Sequence, residues 1–290
     1  MFVPRRILEE KLKQLLTEDV GQGDVTSAAV VPAGLMVKAS ILAKEAGVVA
    51  GIEETTVLAE TLGLNVQTKT EDGAKIRSGQ VIMTISGDAK TILSAERTIL
   101  NLLSRMCGIA TVTRRLVEKI EKANLLVKIA ATRKTAPGLS YFDKKAVLIG
   151  GGDTHRLHLD DMILLKDNHI AIAGDVESAV KKAKQIASFS KKIEVEVTSV
   201  KDAVKAAEAG ADIIMLDNFS PNQIRETVEA LKKAGFTGVL LEASGRITEE
   251  NLLDYAQTGV NIISIGELTH SVSALDISLE ITPIKRKNQA

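Results

Sequence analysis

The stretch "KIEVEVTSVKDAVKAAEAGADIIMLDN", residues 192–218, reads as strand, helix, strand. Ile193, Val195 and Val197 alternate with Glu194 and Glu196, the period of two that marks a β-strand. "VKDAVKAAEAG" then has a helical pattern that stops at Gly210, and "ADIIMLDN" is a short apolar run suited to a buried strand. A strand–helix–strand unit of this kind builds a parallel sheet. The rhythm extends in both directions through "LLVKIAA" (125–131), "DMILLKDNH" (161–169), "GVLLEAS" (238–244) and "VNIISIGE" (260–267). "SPNQIRETVEALKKAG" (220–235) and "TEENLLDYAQTG" (248–259) are helices between them, opened at Ser220-Pro221 and Thr248 and closed by Gly235 and Gly259. Six strands fall short of the eight strands and ~250 residues of a full barrel, so the expectation is an open, incomplete α/β barrel.

Before residue 124 the pattern differs. Residues 4–17 place Ile7, Leu8, Leu12, Leu15 and Leu16 at helical spacing. Residues 30–86 read as strands and turns, with Asp72-Gly73 and Ser78-Gly79 as hairpin turns and a helix from Ile52 to Leu62. From Ala89 to about Ala123 an apolar stripe including Leu100, Leu103, Met106, Ala110 and Leu116 predicts one long helix. The predicted organisation is an N-terminal domain over 1–112, including part of the linking helix, and a barrel domain over 113–290.

Composition narrows the function. The 290 residues are 45% hydrophobic and 26% charged, which is ordinary globular composition. Their 37 basic and 37 acidic residues cancel, giving no general surface for nucleic acid or membrane. Any anion site must be a local gathering of cations. Cys107 is the single cysteine, which excludes an internal disulfide and suits a reducing cytoplasm. The first residues lack the form of a secretory signal, and no run reaches membrane-spanning length. The expectation is a soluble cytoplasmic protein.

In a barrel, ligands meet the C-terminal ends of the strands. Those ends carry Arg133 and Lys134; Lys166, Asp167, Asn168 and His169; Glu196 and Thr198; Asp217 and Asn218; Glu242 and Ser244; Gly266 and Glu267. Each alone could be a solvated tip. Helices need the apolar face of "IEVEV", so Glu194 and Glu196 should face the barrel interior, where an unpaired carboxylate costs several kcal/mol. A salt bridge to Lys128 or Lys166 would satisfy one of them, and a functional role would satisfy it as well. "IGGGDTHRLHLDD" (149–161) combines three glycines, which let backbone amides approach an anion, with His155, Arg156 and His158. His155 and His158 have a spacing seen in zinc sites, but no further ligand motif lies nearby. Ser244-Gly245 and Gly266 close two successive strands as small-residue loops, fit for a phosphate or for plain tight turns.

Together "EDVGQGDVTS", "ERTILNLLSRMCGIAT", "TRKTAPGL", "GGGDTHR", "LLKDNHI", "EVEV", "IIMLDN", "EASG" and "GELTHSV" resemble, in order and spacing, the quinolinate phosphoribosyltransferase family, across nearly the whole chain. The resemblance implies an N-terminal α/β sandwich domain followed by an open α/β barrel. It implies transfer of phosphoribose from phosphoribosyl pyrophosphate to quinolinate, with decarboxylation, by a homodimer that in some members assembles further. Arg97 in "ERTILN" resembles the arginine that completes the neighbouring subunit's site. Thr132, Arg133, Lys134, His155, Arg156 and Lys166 resemble the pocket for the pyridine dicarboxylate and part of the donor. Glu196 and Asp217 resemble the pair that engages the donor ribose and Mg2+, the metal being held through substrate or water. Ser244, Gly245 and Gly266, with His270 close by, resemble the 5′-phosphate loops, and Arg246 and Glu267 are substrate-binding candidates by their place in those loops. Lys134, Lys166, Glu196 and Asp217 are the catalytic candidates. Arg246 and Glu267 stand where glycine and alanine are usual in the family, and Ala131 where a polar residue is common. Two rivals stay open here: a Schiff-base aldolase using Lys166, and a non-catalytic anion-binding protein built on the same barrel.

Overall fold

The structure is a computed structural model that describes residues 3–283. The described residues divide into two compact units, one formed by those up to 112 together with those from 272 onward and the other by 113–271.

The first unit opens with helices α1 (Arg5–Val20) and α2 (Val25–Val30). Strands β1 (Met36–Ala43) and β2 (Gly47–Val48), helix α3 (Ile52–Thr61), and strands β3 (Asn65–Thr68), β4 (Lys75–Ile76) and β5 (Val81–Asp88) follow. Helix α4, Ala89–Lys122, is a single element of 34 residues, and the division between the units falls within it. The antiparallel sheet has the order β12-β1-β5-β3, where β12 is Ile277–Pro283. β1 shows why it packs one face inward: Val37, Ala39, Ile41 and Ala43 are buried while the residues between them are not fully covered. The expected barrel span of 113–290 is therefore too long. Ile277, Leu279 and Ile281 alternate with polar residues and complete the free edge of β1, which returns the chain to the first unit; residues 284–290 lie outside the described residues. The expected hairpins around Asp72-Gly73 and Ser78-Gly79 also differ, because β4 between them leaves the main sheet and pairs with β2.

The second unit is the expected βα series. β6 (Lys128–Ala130), α5 (Ser140–Ile149), β7 (Ile163–Leu165), α6 (Asp167–Ala173), α7 (Val176–Ile186), β8 (Ile193–Val197) and α8 (Val200–Ala209) form its first part. β9 (Ile213–Asp217), α9 (Pro221–Lys233), β10 (Leu240–Ser244), α10 (Leu252–Ala256), β11 (Ile262–Ser264) and the single turn α11 (Glu267–His270) complete it. The six strands are parallel, in the order β6-β11-β10-β9-β8-β7. β6 and β7 are edges that do not pair with each other, which leaves the barrel open. Val195, Ile214, Leu216, Ala243 and Ile263 are fully buried beneath the helices. The Ser220 hydroxyl accepts the Gln223 N–H with Pro221 in the first helical turn, the predicted start of α9. Thr248 does not start α10: its N–H donates to Asn251 Oδ1, and the helix begins at Leu252.

Candidate active site

The C-terminal ends of the parallel strands enclose a cavity of about 510 Å3. From the tip of β6 come Thr132, Arg133 and Lys134, and from the loop before β7 come His155 and Arg156. Lys166, Glu196 and Asp217 follow from the ends of β7, β8 and β9, and Ser244, Gly245 and Arg246 from the end of β10. These candidates, scattered over more than a hundred residues of sequence, converge because the topology places every one at the same end of the sheet.

Local interactions fix the tips. The Lys134 N–H donates to Thr132 Oγ1 at 3.1 Å, and the Lys134 carbonyl accepts the Thr269 hydroxyl at 2.8 Å, tying the β6 tip to α11. Lys166 Nζ meets Glu196 Oε2 at 3.0 Å, and the Asn218 amide donates to Asp217 Oδ2 at 2.7 Å. Glu196 thus has one of the two lysine partners weighed from sequence, whereas Lys128 faces Asp153 at 3.7 Å. Arg246 adopts φ +52, a left-handed conformation that glycine takes at lower cost. Its carbonyl accepts the Asn251 side-chain amide, and it adds a cation to the mouth.

Glu194 and Glu242 point into the barrel, both fully buried, and His155 Nε2 lies 3.2 and 3.3 Å from their Oε2 atoms. Apart from His155, their oxygens have no hydrogen-bond partner among the described residues. The ligand atoms of these three residues lie within 4.8 Å of one another, the one such grouping of metal-ligand types among the described residues. The hydrogen bonds argue against a metal there. The Arg156 N–H donates to His155 Nδ1 at 2.8 Å, so Nδ1 carries no proton and Nε2–H is the donor toward the glutamates. A metal on Nε2 would then require an imidazolate. Burial opposes charge on His155 while the two carboxylates favour it and draw its pKa upward, but a proton on Nδ1 would cost the contact with the Arg156 N–H. That contact keeps the ring as the Nε2–H tautomer. Burial raises the Glu194 pKa as well, against the lowering effect of His155.

Other residues singled out from the sequence lie outside the cavity lining. Gly150, Gly151 and Gly152 do not line the cavity; a Cβ on Gly152 would lie 2.8 Å from Val147 and 2.9 Å from Thr113, so close packing demands the glycine. His158 is exposed and is not part of the His155 cluster, so the two histidines do not form a zinc pair. Glu267, at the exposed start of α11, Gly266 and His270 stand outside the cavity lining, although Gly266 lies beside the Lys134 side chain. Arg97 is exposed on α4 in the first unit and is not among the lining residues. Sequence reading assigned no role to Leu164, Met215 or Ser264, which complete the cavity wall. Ser264 lies in register opposite Ser244 at the end of β11, a pairing that only the folded sheet displays. Lys166 is half exposed and ion-paired, which is not the desolvated setting that activates a Schiff-base lysine.

Comparison with known proteins agrees with this geometry. Residues 109–280 match the C-terminal domain of quinolinate phosphoribosyl transferase, and residues 24–107 match its N-terminal domain. The chain is 48% identical over 275 residues to the probable nicotinate-nucleotide pyrophosphorylase [carboxylating] of Methanothermobacter thermautotrophicus, covering 94% of this chain and 99% of that one. It is 40% identical to the human nicotinate-nucleotide pyrophosphorylase [carboxylating], over 84% of this chain and 82% of that one. Among solved structures, NadC from Streptococcus pyogenes is similar with a TM-score of 0.90 at 36% identity, covering 98% of this chain and all of that one.

Proposed function

Because the chain belongs to the quinolinate phosphoribosyltransferase family, we propose that it converts quinolinate and phosphoribosyl pyrophosphate into nicotinate mononucleotide, pyrophosphate and CO2. The observation that carries this reading is the cavity itself. A chain of zero net charge places Arg133, Lys134, Arg156, Lys166 and Arg246 around one mouth, beside the carboxylates Glu196 and Asp217. Both substrates are strongly anionic, and such a mouth draws them together.

The arginine forks of Arg133 and Arg156 suit the planar carboxylates of the pyridine, while Lys134 and Lys166 serve as point charges toward carboxylate and phosphate oxygens. Ser244 and Gly245 offer a hydroxyl and a close backbone approach to the 5′-phosphate, and Arg246 adds charge at that loop. Glu196 and Asp217, held by Lys166 and Asn218, face the donor ribose. In the reaction, the pyridine nitrogen attacks the anomeric carbon as the bond to pyrophosphate breaks, through an oxocarbenium-like state. The bond between the ring and its 2-carboxylate then cleaves, CO2 leaves, and the electron pair stays on the ring carbon beside the pyridinium nitrogen until a proton replaces it. The side chains position and neutralise charge, and no covalent nucleophile is required.

The two carboxylates are hard oxygen donors at the mouth, which fits Mg2+ held through water and donor oxygens by Glu196 and Asp217. That ion would supply charge neutralisation for the departing pyrophosphate. In this reading the working form is a homodimer, each site completed by Arg97 of the neighbouring subunit, in a reducing cytoplasm. Among the described residues no helix is long and apolar enough to cross a membrane. The direct test incubates the purified protein with phosphoribosyl pyrophosphate, Mg2+ and quinolinate. Mass spectrometry should find nicotinate mononucleotide; its absence from a folded preparation overturns the reading.

A further inference from the structure

Helix α5 buries a cation that the reaction above does not use. Lys144 is only 1% exposed and does not line the cavity. Its ammonium donates to the carbonyl oxygens of Thr154 and Arg156, both at 2.6 Å. Between those carbonyls sits His155 with φ +50, a backbone conformation that non-glycine residues adopt only when their surroundings hold them there. Other bonds stitch the same turn. Asp153 Oδ1 accepts the His155 N–H at 2.8 Å, and His155 Nδ1 accepts the Arg156 N–H at 2.8 Å.

Both ring nitrogens of His155 are therefore spent on the protein, one on Arg156 N–H and the other toward Glu194 and Glu242. What the turn presents to the cavity as a charged group is Arg156, itself buried but lining the cavity wall. The placement of Lys144 works against its own charge. Burial and the neighbouring Arg133 push its pKa down to about 8, opposed by Asp161 and Asp153 and reinforced by Arg156. A turn needing nothing but shape would be held at lower cost by a neutral donor.

We propose that Lys144 is a positioning residue for recognition of the pyridine dicarboxylate: by pinning the Thr154 and Arg156 carbonyls, it holds the left-handed His155 turn that aims Arg156 into the cavity. This rests on the functional reading above for the identity of the dicarboxylate, but the clamp itself is independent of it. The clamp acts on the pyridine side of the cavity, whereas the donor is held mainly by the loop after β10 and the acidic pair.

The test compares wild type with Lys144→Met, of similar length without donors, and with Lys144→Arg, which keeps charge and donors. Lys144→Met should raise the KM for quinolinate at least tenfold while changing the KM for phosphoribosyl pyrophosphate less than threefold, and Lys144→Arg should recover part of the loss. A quinolinate KM within twofold of wild type overturns the proposal, as does an equal rise in both KM values, which would mean general loosening. Amide hydrogen exchange gives a readout that does not depend on the reaction. Residues 154–156 should exchange faster in Lys144→Met, or in Lys144→Gln if the methionine variant does not fold, and unchanged exchange refutes the clamp. A wild type that exchanges normally but does not turn over quinolinate would instead count against the functional reading alone.

Discussion

Gly245→Ala is a small substitution with a cost that can be worked from the structure. Gly245 follows β10 with φ +96, where an L-residue is strained by roughly 1–2 kcal/mol. A Cβ placed there would lie 2.5 Å from Asn218 Oδ1 and 3.0 Å from the Asn218 backbone nitrogen. The side-chain amide could rotate away, but the backbone nitrogen is held by its bond to the Ser244 carbonyl at 2.9 Å. A combined cost of about 2 kcal/mol follows from strain and the forced shift. If the loop keeps its shape, that cost appears as lost stability, a fall in Tm of roughly 4–8 °C. If the loop relaxes, Asn218 moves and releases Asp217 Oδ2, which it holds at 2.7 Å. The cost then appears as about a 30-fold loss in kcat/KM for phosphoribosyl pyrophosphate, at tenfold for each ~1.4 kcal/mol. Initial rates over a range of donor concentrations, with a thermal melt of the same preparation, separate the two outcomes. A variant matching wild type in both measurements would show that the phosphate loop is not held as described.

Three further outcomes are expected. Arg133→Ala should lower kcat/KM for quinolinate by at least tenfold, from the ~1.5–3 kcal/mol of a charge-assisted contact, and leave the melt unchanged, because Arg133 is exposed at a strand tip; near-normal turnover at low quinolinate refutes its role. Nicotinate, which lacks the 2-carboxylate, should be a very poor substrate because it leaves cations of the cavity unpaired, and equal efficiency with both bases would move the protein to another branch of phosphoribosyl transfer. Mixed Arg97→Ala and Arg133→Ala subunits should be more active than either variant alone, since a heterodimer gathers both lesions in one site and leaves the other whole; if subunit exchange is demonstrated and the mixture is no more active than its parents, Arg97 does not act across a dimer.

Which parts of this protein could be read from sequence follows from how local their determinants are. β8 was legible because Ile193, Val195 and Val197 declare a face within five residues, and the structure buries all three. The convergence of Arg133, Lys166, Glu196 and Asp217 was legible because parallel βα topology sends every strand tip to one rim, whatever the sequence separation. β12 was not, although Ile277, Leu279 and Ile281 alternate cleanly: its partner is β1, more than two hundred residues earlier, and no local pattern names the sheet that an edge strand will join. The inward direction of Glu194 could be predicted, but not its partner. His155 reaches it from a turn in which its own φ is +50, a conformation that nothing in "DTHR" requires. The same limit hid Lys144. Nothing in "SYFDKKAVLIG" marks either lysine as interior, yet the structure buries both Lys144 and Lys145. A lysine enters the interior only where oxygens are waiting for it, and those carbonyls belong to a turn that begins ten residues away. Neither the lysine nor the turn announces the other in the sequence, and the cation that bears on Arg156 is one that does not line the cavity.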